Sequence, residues 1–346
     1  MSTGPKLEEV SMPPTPAKRG ARLVCWVSIL YLLTALACWG LLQYGDDWWP
    51  ATFLLFAPRW LLAVPLAALV PLAAWRRPRF LPILLVTAVI VLGPVMGLVI
   101  PGGRLLTSPP RGTPLRVLSC NMHYARHDAT PLDELIRSFK PDIVLLQEWN
   151  RDNHSELLKA PDWHTYRTAA LFIASRFPIQ RTQVFGRYSM DAEAATASHE
   201  LAWPATSSAG PLTVFNLHLA SPRHGLAKVA DDQPGGADSI IANTELRHRQ
   251  SCFIAEKARQ VAGPLLLAGD FNTPTESALF RAVWHEQTDA FSTAGWGWGY
   301  TFVTRTLATR IDHVLLGKGW HCTRCRVGPS LGSPHRPVLA ELVWPE

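Results

Sequence analysis

The chain lacks a cysteine framework. Cys25 and Cys38 lie in an apolar run, Cys120 and Cys252 are isolated, and Cys322 and Cys325 form a lone CxxC with no further ligands spaced to complete a zinc site. The cysteines read as packing residues, and Cys322 would bridge Cys325 only if the chain turned there. No repeat of fixed period is present, which removes solenoids and propellers. Residues 112–346 also lack a net charge, with 23 basic and 23 acidic residues. The overall excess of +6 comes from residues 1–111, which carry ten Lys/Arg and four Asp/Glu. Phosphate contacts dominate nucleic-acid affinity, so a domain without basic excess has at most a local patch for such a partner.

Charge is missing altogether from two long stretches near the amino terminus. Residues 22–44 hold none after Arg22, residues 80–101 hold none, and residues 52–75 hold only Arg59. Each is close to the ~20 residues that cross ~30 Å of hydrocarbon. A signal peptide would have one shorter core and a cleavage site, so three successive runs predict three transmembrane helices. Arg59 lies near Trp48, Trp49 and Trp60, an interfacial position from which its side chain is expected to snorkel to the headgroups. Lys18, Arg19 and Arg22 precede the first run, and Arg76, Arg77 and Arg79 fill the second loop, whereas the first loop carries Asp46 and Asp47. The positive-inside rule then makes this a multi-pass protein of the cell membrane with a cytoplasmic amino terminus. Everything after Gly102 is placed outside. Residues 1–21 read as a disordered cytoplasmic tail, and 102–114 as a Gly/Pro/Ser linker.

From residue 115 to 346 short apolar runs alternate with helical stretches, an α/β pattern. Strands are expected at 115–119, 143–147, 171–174, 212–217, 265–268, 313–316 and 338–342, with helices at 131–139 and 244–261. Acidic, amide and imidazole side chains recur at the strand ends: Asn121, Glu148, His218, Asp270, Asn272, Asp312 and His335. A rigid sheet holds such side chains while loops admit a ligand. Taken singly, Asn121, Asp270 and Asn272 are ordinary turn formers and His218 an ordinary core histidine. Their joint order is what points to a site.

The succession LSCNMH, LLQEW, IASRFPI, FNLHLA, LLAGDFNTP, RIDHVLL and SPHRPVLAEL resembles the endonuclease/exonuclease/phosphatase family. The resemblance implies a deoxyribonuclease I-like fold, a two-sheet β-sandwich flanked by helices, and hydrolysis of a phosphoester or phosphoanhydride. It implies Mg²⁺, with Mn²⁺ as an alternative, held by Asn121, Glu148 and Asp312. Asp270 would then deprotonate water with Asn272 fixing its geometry, and His218 and His335 would act on the phosphoryl group. The family usually shows Ser-Asp-His before the last strand, where this chain has Ser333-Pro334-His335. Without that acid, His335 is expected to be less strongly held as a cation.

Three spans followed by this domain resemble a smaller group, the glycopeptide-resistance membrane proteins of the VanJ type. That likeness implies a lipid-linked substrate at the bilayer, undecaprenyl pyrophosphate, with no nucleic acid expected, and a role in cell-wall lipid recycling and glycopeptide resistance. An extracytoplasmic nuclease, a phospholipid phosphodiesterase and a non-catalytic binding domain are the alternatives. The segment Trp296-Gly297-Trp298-Gly299-Tyr300 reads as an aromatic edge meeting lipid or as a packed turn. The segment 221–243 reads as a substrate-side lid or a surface loop. The loop charges generate one direct test. A reporter that is active only in the cytoplasm, fused after Glu346, should stay silent; activity there would overturn the orientation.

Overall fold

The structure, a computed structural model, describes residues 16–102, 110–124, 128–150, 152–153, 155–168, 170–185, 195–203 and 210–345. The first apolar run forms α1 (Pro16–Gln43), so residues 16–21 of the expected tail are helical. The second run is divided. Helix α2 (Trp49–Phe56) ends before Ala57-Pro58, where proline disfavours helical geometry in the preceding residue, and a 3₁₀ turn (Arg59–Ala63) then leads into α3 (Val64–Arg76). The third run forms α4 (Leu81–Ile90) and ends in a π turn over Val91–Val95 that contains Pro94. Three helical stretches, Arg22–Gln43, Arg59–Arg76 and Pro78–Val95, are long and apolar enough to cross a membrane. Only 22, 11 and 28% of their residues are buried, so most of their apolar surface faces outward and is suited to lipid. Val24, Tyr31, Ala35, Ala73, Leu84 and Val91 pack where the three meet.

Beyond residue 110, two six-stranded mixed sheets are seen among the described residues. The strands in chain order are β1 (Gly112–Asn121), β2 (Ile143–Gln147), β3 (His164–Arg167), β4 (Leu171–Ser175), β5 (Ile179–Phe185), β6 (Ala195–Leu201) and β7 (Leu212–His218). They continue with β8 (Leu265–Asp270), β9 (Thr288–Asp289), β10 (Phe302–Val303), β11 (Ala308–Thr309), β12 (Asp312–Leu316), β13 (His321–Val327) and β14 (Val338–Pro345). One sheet runs β13-β14-β1-β2-β4-β3 and the other β5-β6-β7-β8-β12-β9, while β10 and β11 form a small ribbon. Alternation along the strands builds the core: Leu115 and Val117 face the second sheet's Val214, Leu266 and Val314, whereas Leu118 and Cys120 face outward. The outward face of the first sheet is covered by α5 (Thr130–Phe139) through Leu132, Ile136 and Phe139. That of the second is covered by α7 (Gly236–Arg259) and α8 (Ala278–Val283). The expected two-sheet sandwich with flanking helices and three preceding apolar helices is therefore the observed fold.

One local reading is corrected. Residues 221–243 are not a loop: α6 (Arg223–Ala230) and the first turns of α7 occupy much of them, because Gly225 and Gly236 let the two helices pack backbone to backbone. Cys322 and Cys325 pack as expected: both are free, buried thiols on β13, where a bulge between Cys322 and Arg324 brings both into the intersheet core.

The membrane region touches the sandwich directly. Arg59 does not reach outward to headgroups; it is buried, its Nη1 donates to the Val95 carbonyl at 2.7 Å, and its Nη2 lies 3.3 Å from Glu276 Oε2. Burial opposes ionisation of Glu276, but Arg59 and Arg310 outweigh it and hold the carboxyl below its usual range. Gly97 passes so close to Glu276 that a Cβ there would overlap the carboxylate. Asp46 accepts from Ser277 Oγ at 2.5 Å and from Leu279 N at 2.9 Å. Val99 bridges Gly297, and Tyr300 Oη donates to the Met96 carbonyl, so the aromatic segment runs beside the chain leaving the third span, with Trp296 exposed.

A buried pair that loses one partner leaves an uncompensated charge. Arg59→Ala should therefore destabilise the full chain by about 3–5 kcal/mol. Arg59→Ala combined with Glu276→Gln should cost less than the sum of the two single changes, as read by unfolding in detergent. Strict additivity would show that the pair does not join the two regions.

Candidate active site

Register gathers the site. Asn121, the last residue of β1, sits opposite Gln147 on β2, and Glu148 follows directly. In the other sheet His218 on β7 lies opposite Asp270 on β8, and Asp270 lies opposite Asp312 on β12. His335 enters from the turn before β14. All seven residues expected from the sequence thus meet at one end of the sandwich, drawn from both sheets. Glu148 and Asn272 hold φ of 49° and 48°, left-handed conformations that cost roughly 1–3 kcal/mol each and mark sites where geometry is imposed by the surroundings. Gly269 has φ 145°, and a Cβ there would overlap the Leu217 carbonyl of β7. Only glycine lets β7 and β8 approach just before Asp270.

The hydrogen bonds form one network. Asn121 Nδ2 donates at 3.0 Å to both Glu148 Oε1 and Asp270 Oδ2, while its Oδ1 accepts from His123 N–H at 2.9 Å. Asn272 N–H donates to Asp270 Oδ1 at 2.9 Å, and its Nδ2 donates to the Leu219 carbonyl at 2.8 Å. His218 Nε2 lies 3.3 Å from Glu148 Oε1. Asp312 places its two oxygens 2.9 and 3.1 Å from His335 Nδ1, and His335 Nε2 faces Asp270 Oδ2 at 3.8 Å. Ser333 Oγ donates to the Asn121 carbonyl at 2.7 Å and accepts from His335 N–H at 3.1 Å, fastening the final turn to β1.

Electrostatics follows from this burial. Desolvation and the neighbouring Asp312 push the Asp270 carboxyl up to about 6, against the opposing pull of His335 and His218. For His335, burial favours the neutral ring, but the Asp312 and Asp270 carboxylates overcome it and raise its pKa to about 9. The expectation that Pro334 leaves His335 weakly held as a cation is therefore overturned. The acid comes from Asp312, on a different sheet, and Pro334 carries only backbone: its carbonyl accepts from Val303 N–H.

The donor set suits a hard divalent cation. The carboxylates of Glu148, Asp270 and Asp312 offer oxygen donors, and ligand atoms of Asp270, Asp312 and His335 lie within 4.8 Å of one another. Of the expected metal ligands, Asp312 is committed to His335 through both oxygens, and Asn121 turns its amide nitrogen to Glu148 and Asp270 while its oxygen accepts from His123 N–H. The rest of the RIDH motif is structural: Arg310 donates to Asp289 Oδ2 at 3.1 Å, and His313 Nε2 meets the Thr273 carbonyl at 3.0 Å.

The cluster borders a cavity of about 290 Å³, which Glu148, His218, Asp270, Asn272 and His335 line together with His123 and Arg223. Neither His123 nor Arg223 was singled out from the sequence. His123 stands two residues after Asn121 in the first motif, so position alone could have found it. Arg223 has no motif; helix α6 brings its Nη1 to 3.2 Å from His123 Nε2.

A model of the endonuclease/exonuclease/phosphatase family matches residues 118–335. No curated protein sequence matches the chain. Among solved structures, an endonuclease/exonuclease/phosphatase protein from Beutenbergia cavernae is similar at 17% identity and a TM-score of 0.51, covering 68% of this chain and 72% of that one. The 3′ phosphatase NExo from Neisseria, bound to a product DNA hairpin, is similar at 18% identity and 0.51, over 66% of this chain and all of that one. Humanized D. rerio TDP2 is similar at 16% and 0.51, over 66% and 98%. At these identities the likeness is one of fold.

The His335–Asp312 pair sets a sign for pH. The folded pKa of His335 lies above the ordinary 6.5, so the pair stabilises fully below 6.5 and loses its contribution as pH rises through about 9. NMR titration of His335 in chelator-treated buffer should find its midpoint near 9, and Asp312→Asn should lower it. A midpoint near 6.5 in the unaltered protein would contradict the pairing.

Proposed function

The chain belongs to the endonuclease/exonuclease/phosphatase family, and from that premise we propose that it hydrolyses a lipid-linked pyrophosphate, undecaprenyl pyrophosphate, at the outer membrane surface. One observation carries the reading. Ile311, the neighbour of Asp312, packs with Leu42, Leu55, Phe56 and Val95, so the catalytic end of the sandwich sits against the ends of the apolar helices. An enzyme held there meets a substrate confined to the bilayer at high effective concentration. Orientation of the domain outside the cell rests on the basic residues flanking the first and third spans. The first loop, through Asp46, and the exit of the third span, through Val99, both touch the sandwich, as three crossings require. A role in recycling a cell-wall lipid carrier and in glycopeptide resistance is part of the same proposal and rests on the resemblance to the VanJ-type membrane proteins.

The chemistry divides among the residues as follows. Glu148 would hold Mg²⁺, or Mn²⁺ in its place, which when bound neutralises charge on the phosphoryl oxygens; Asn121 and Asp312, the other expected ligands, are engaged with Asp270 and His335. Asp270 takes the proton of the attacking water. The Asn272 N–H fixes one of its oxygens and the Asn121 amide the other, so its remaining lone pairs have a set direction. The His335 cation, held by Asp312, opposes the charge that builds on the phosphoryl group. His218 directs Nε2 into the same space and can donate to a phosphoryl oxygen. The balanced charge of residues 112–346 weighs against DNA as substrate.

Purified protein with Mg²⁺ should release phosphate from undecaprenyl pyrophosphate faster than it cleaves a phospholipid or DNA. Asp270→Ala should lower kcat by about 10²–10⁴-fold, the usual worth of a positioned acid or base. Glu148→Ala should also raise the metal concentration needed for half-maximal rate. Near-normal turnover in either variant would sink these assignments, and faster cleavage of DNA would sink the substrate.

A further inference from the structure

We propose that α2, the connector between the first two spans, is a wall of the active site, and that it forms a slot for the first carbons of a single hydrocarbon chain attached to the reacting phosphoryl group. The head group rests on the lipid-pyrophosphate reading; the seat for the chain is new.

Three observations carry it. First, the catalytic cavity is amphiphilic. Opposite its carboxylates and histidines it is lined by Phe53 and Phe56 of α2, Leu226 of α6, and Phe302, Leu307 and Ile311. The two halves are continuous, since the Phe302 ring stands edge-on to the His335 imidazole at 5.0 Å and the two residues are bridged through their backbones. Whatever fills the apolar half therefore adjoins the reacting phosphorus.

Second, α2 is fixed in place from both ends. Asp46, three residues before it, is bonded to Ser277 and Leu279, and Arg59, three residues after it, is paired with Glu276. An eight-residue helix is not stable alone, so its position is set by this docking. Third, the sequence of α2, WPATFLLF, carries no charge and one hydroxyl, and Thr52 directs that hydroxyl to the Gly45 carbonyl. The helix thus offers the cavity hydrocarbon alone.

Hydrocarbon beside the cluster favours a ligand whose own hydrocarbon adjoins its phosphoryl group, because a chain buried there leaves water. Size narrows the class. At about 290 Å³ the cavity lies at the small end of ligand pockets, which begin at about 300 Å³. It has room for a phosphate and a few carbons of one chain, less than the glycerol and paired acyl chains of a phospholipid would fill. Selectivity for a single-chain lipid phosphate would then reside in the membrane region as much as in the sandwich.

The test compares kcat/KM for farnesyl and dimethylallyl pyrophosphate on the full chain in detergent micelles with Mg²⁺. Partitioning into micelles is the same for every variant, so a change in the ratio reports the protein. Phe53→Ser and Leu226→Ser, on two different helices, should each lower the farnesyl-to-dimethylallyl ratio at least about tenfold, the usual scale for a lost methylene contact in an apolar pocket. Should one variant fail to fold by thermal unfolding, the other carries the test. An unchanged ratio in a folded variant, with both pyrophosphates still hydrolysed, overturns the slot and leaves the pyrophosphate reading standing. Hydrolysis of DNA or phospholipid by the wild type with neither pyrophosphate turned over overturns that reading, and with it the occupant assigned here.

Discussion

Asp270 and Asp312 face each other across adjacent strands, both fully buried, where water cannot screen their repulsion. The catalytic end of the sandwich is organised around that repulsion. His335 answers Asp312, Asn121 donates to Asp270 and Glu148, and His218 lies between Glu148 and Asp270. These compensating groups do not come from one sheet. Asn121, Glu148 and His335 belong to the first, while His218, Asp270 and Asp312 belong to the second. Closing the core between the sheets and balancing the site's charge are therefore one event. A substitution that shifts the packing of Val117 against Val314 would be felt at the site through the strands that end there.

The same principle joins the membrane region to the sandwich. A long apolar run tolerates one guanidinium because Glu276 meets it in the protein and the Val95 carbonyl takes another of its hydrogens. Asp46 caps the arrangement from the other end of the connector. The helices thus do more than tether: α2 lines the cavity beside the cluster, and Asp46 and Arg59 fasten its flanks to the sandwich. The balanced charge of the sandwich fits this economy, since a membrane-held enzyme has no need of an extended basic field to capture a polyanion.

Pro334 shows how an altered motif can keep its chemistry. A motif read along the chain pairs His335 with its neighbour, but the ring is oriented by Asp312, 23 residues away. Ser333 keeps its place because its hydroxyl ties the final turn to β1. The residue between them contributes only its carbonyl, which proline retains.

Much was settled by the sequence alone, wherever the cause is local. Uncharged runs of membrane-spanning length, the strand Ile143–Gln147 and the seven polar residues at strand ends are written in hydropathy and spacing, and the structure brings those seven together. What tertiary structure decided are pairings between distant residues. Arg59 meets Glu276, 217 positions on, instead of the headgroups, and Asp312 goes to His335. The segment 221–243, polar and glycine-bearing, folds into helices because α6 and α7 pack on each other, a contact that no local pattern announces. Helix α2 becomes a wall of the site only because both its flanks are pinned to the sandwich. Periodicity reports which face of an element is apolar; which partner that face or charge finds depends on how the elements close in space.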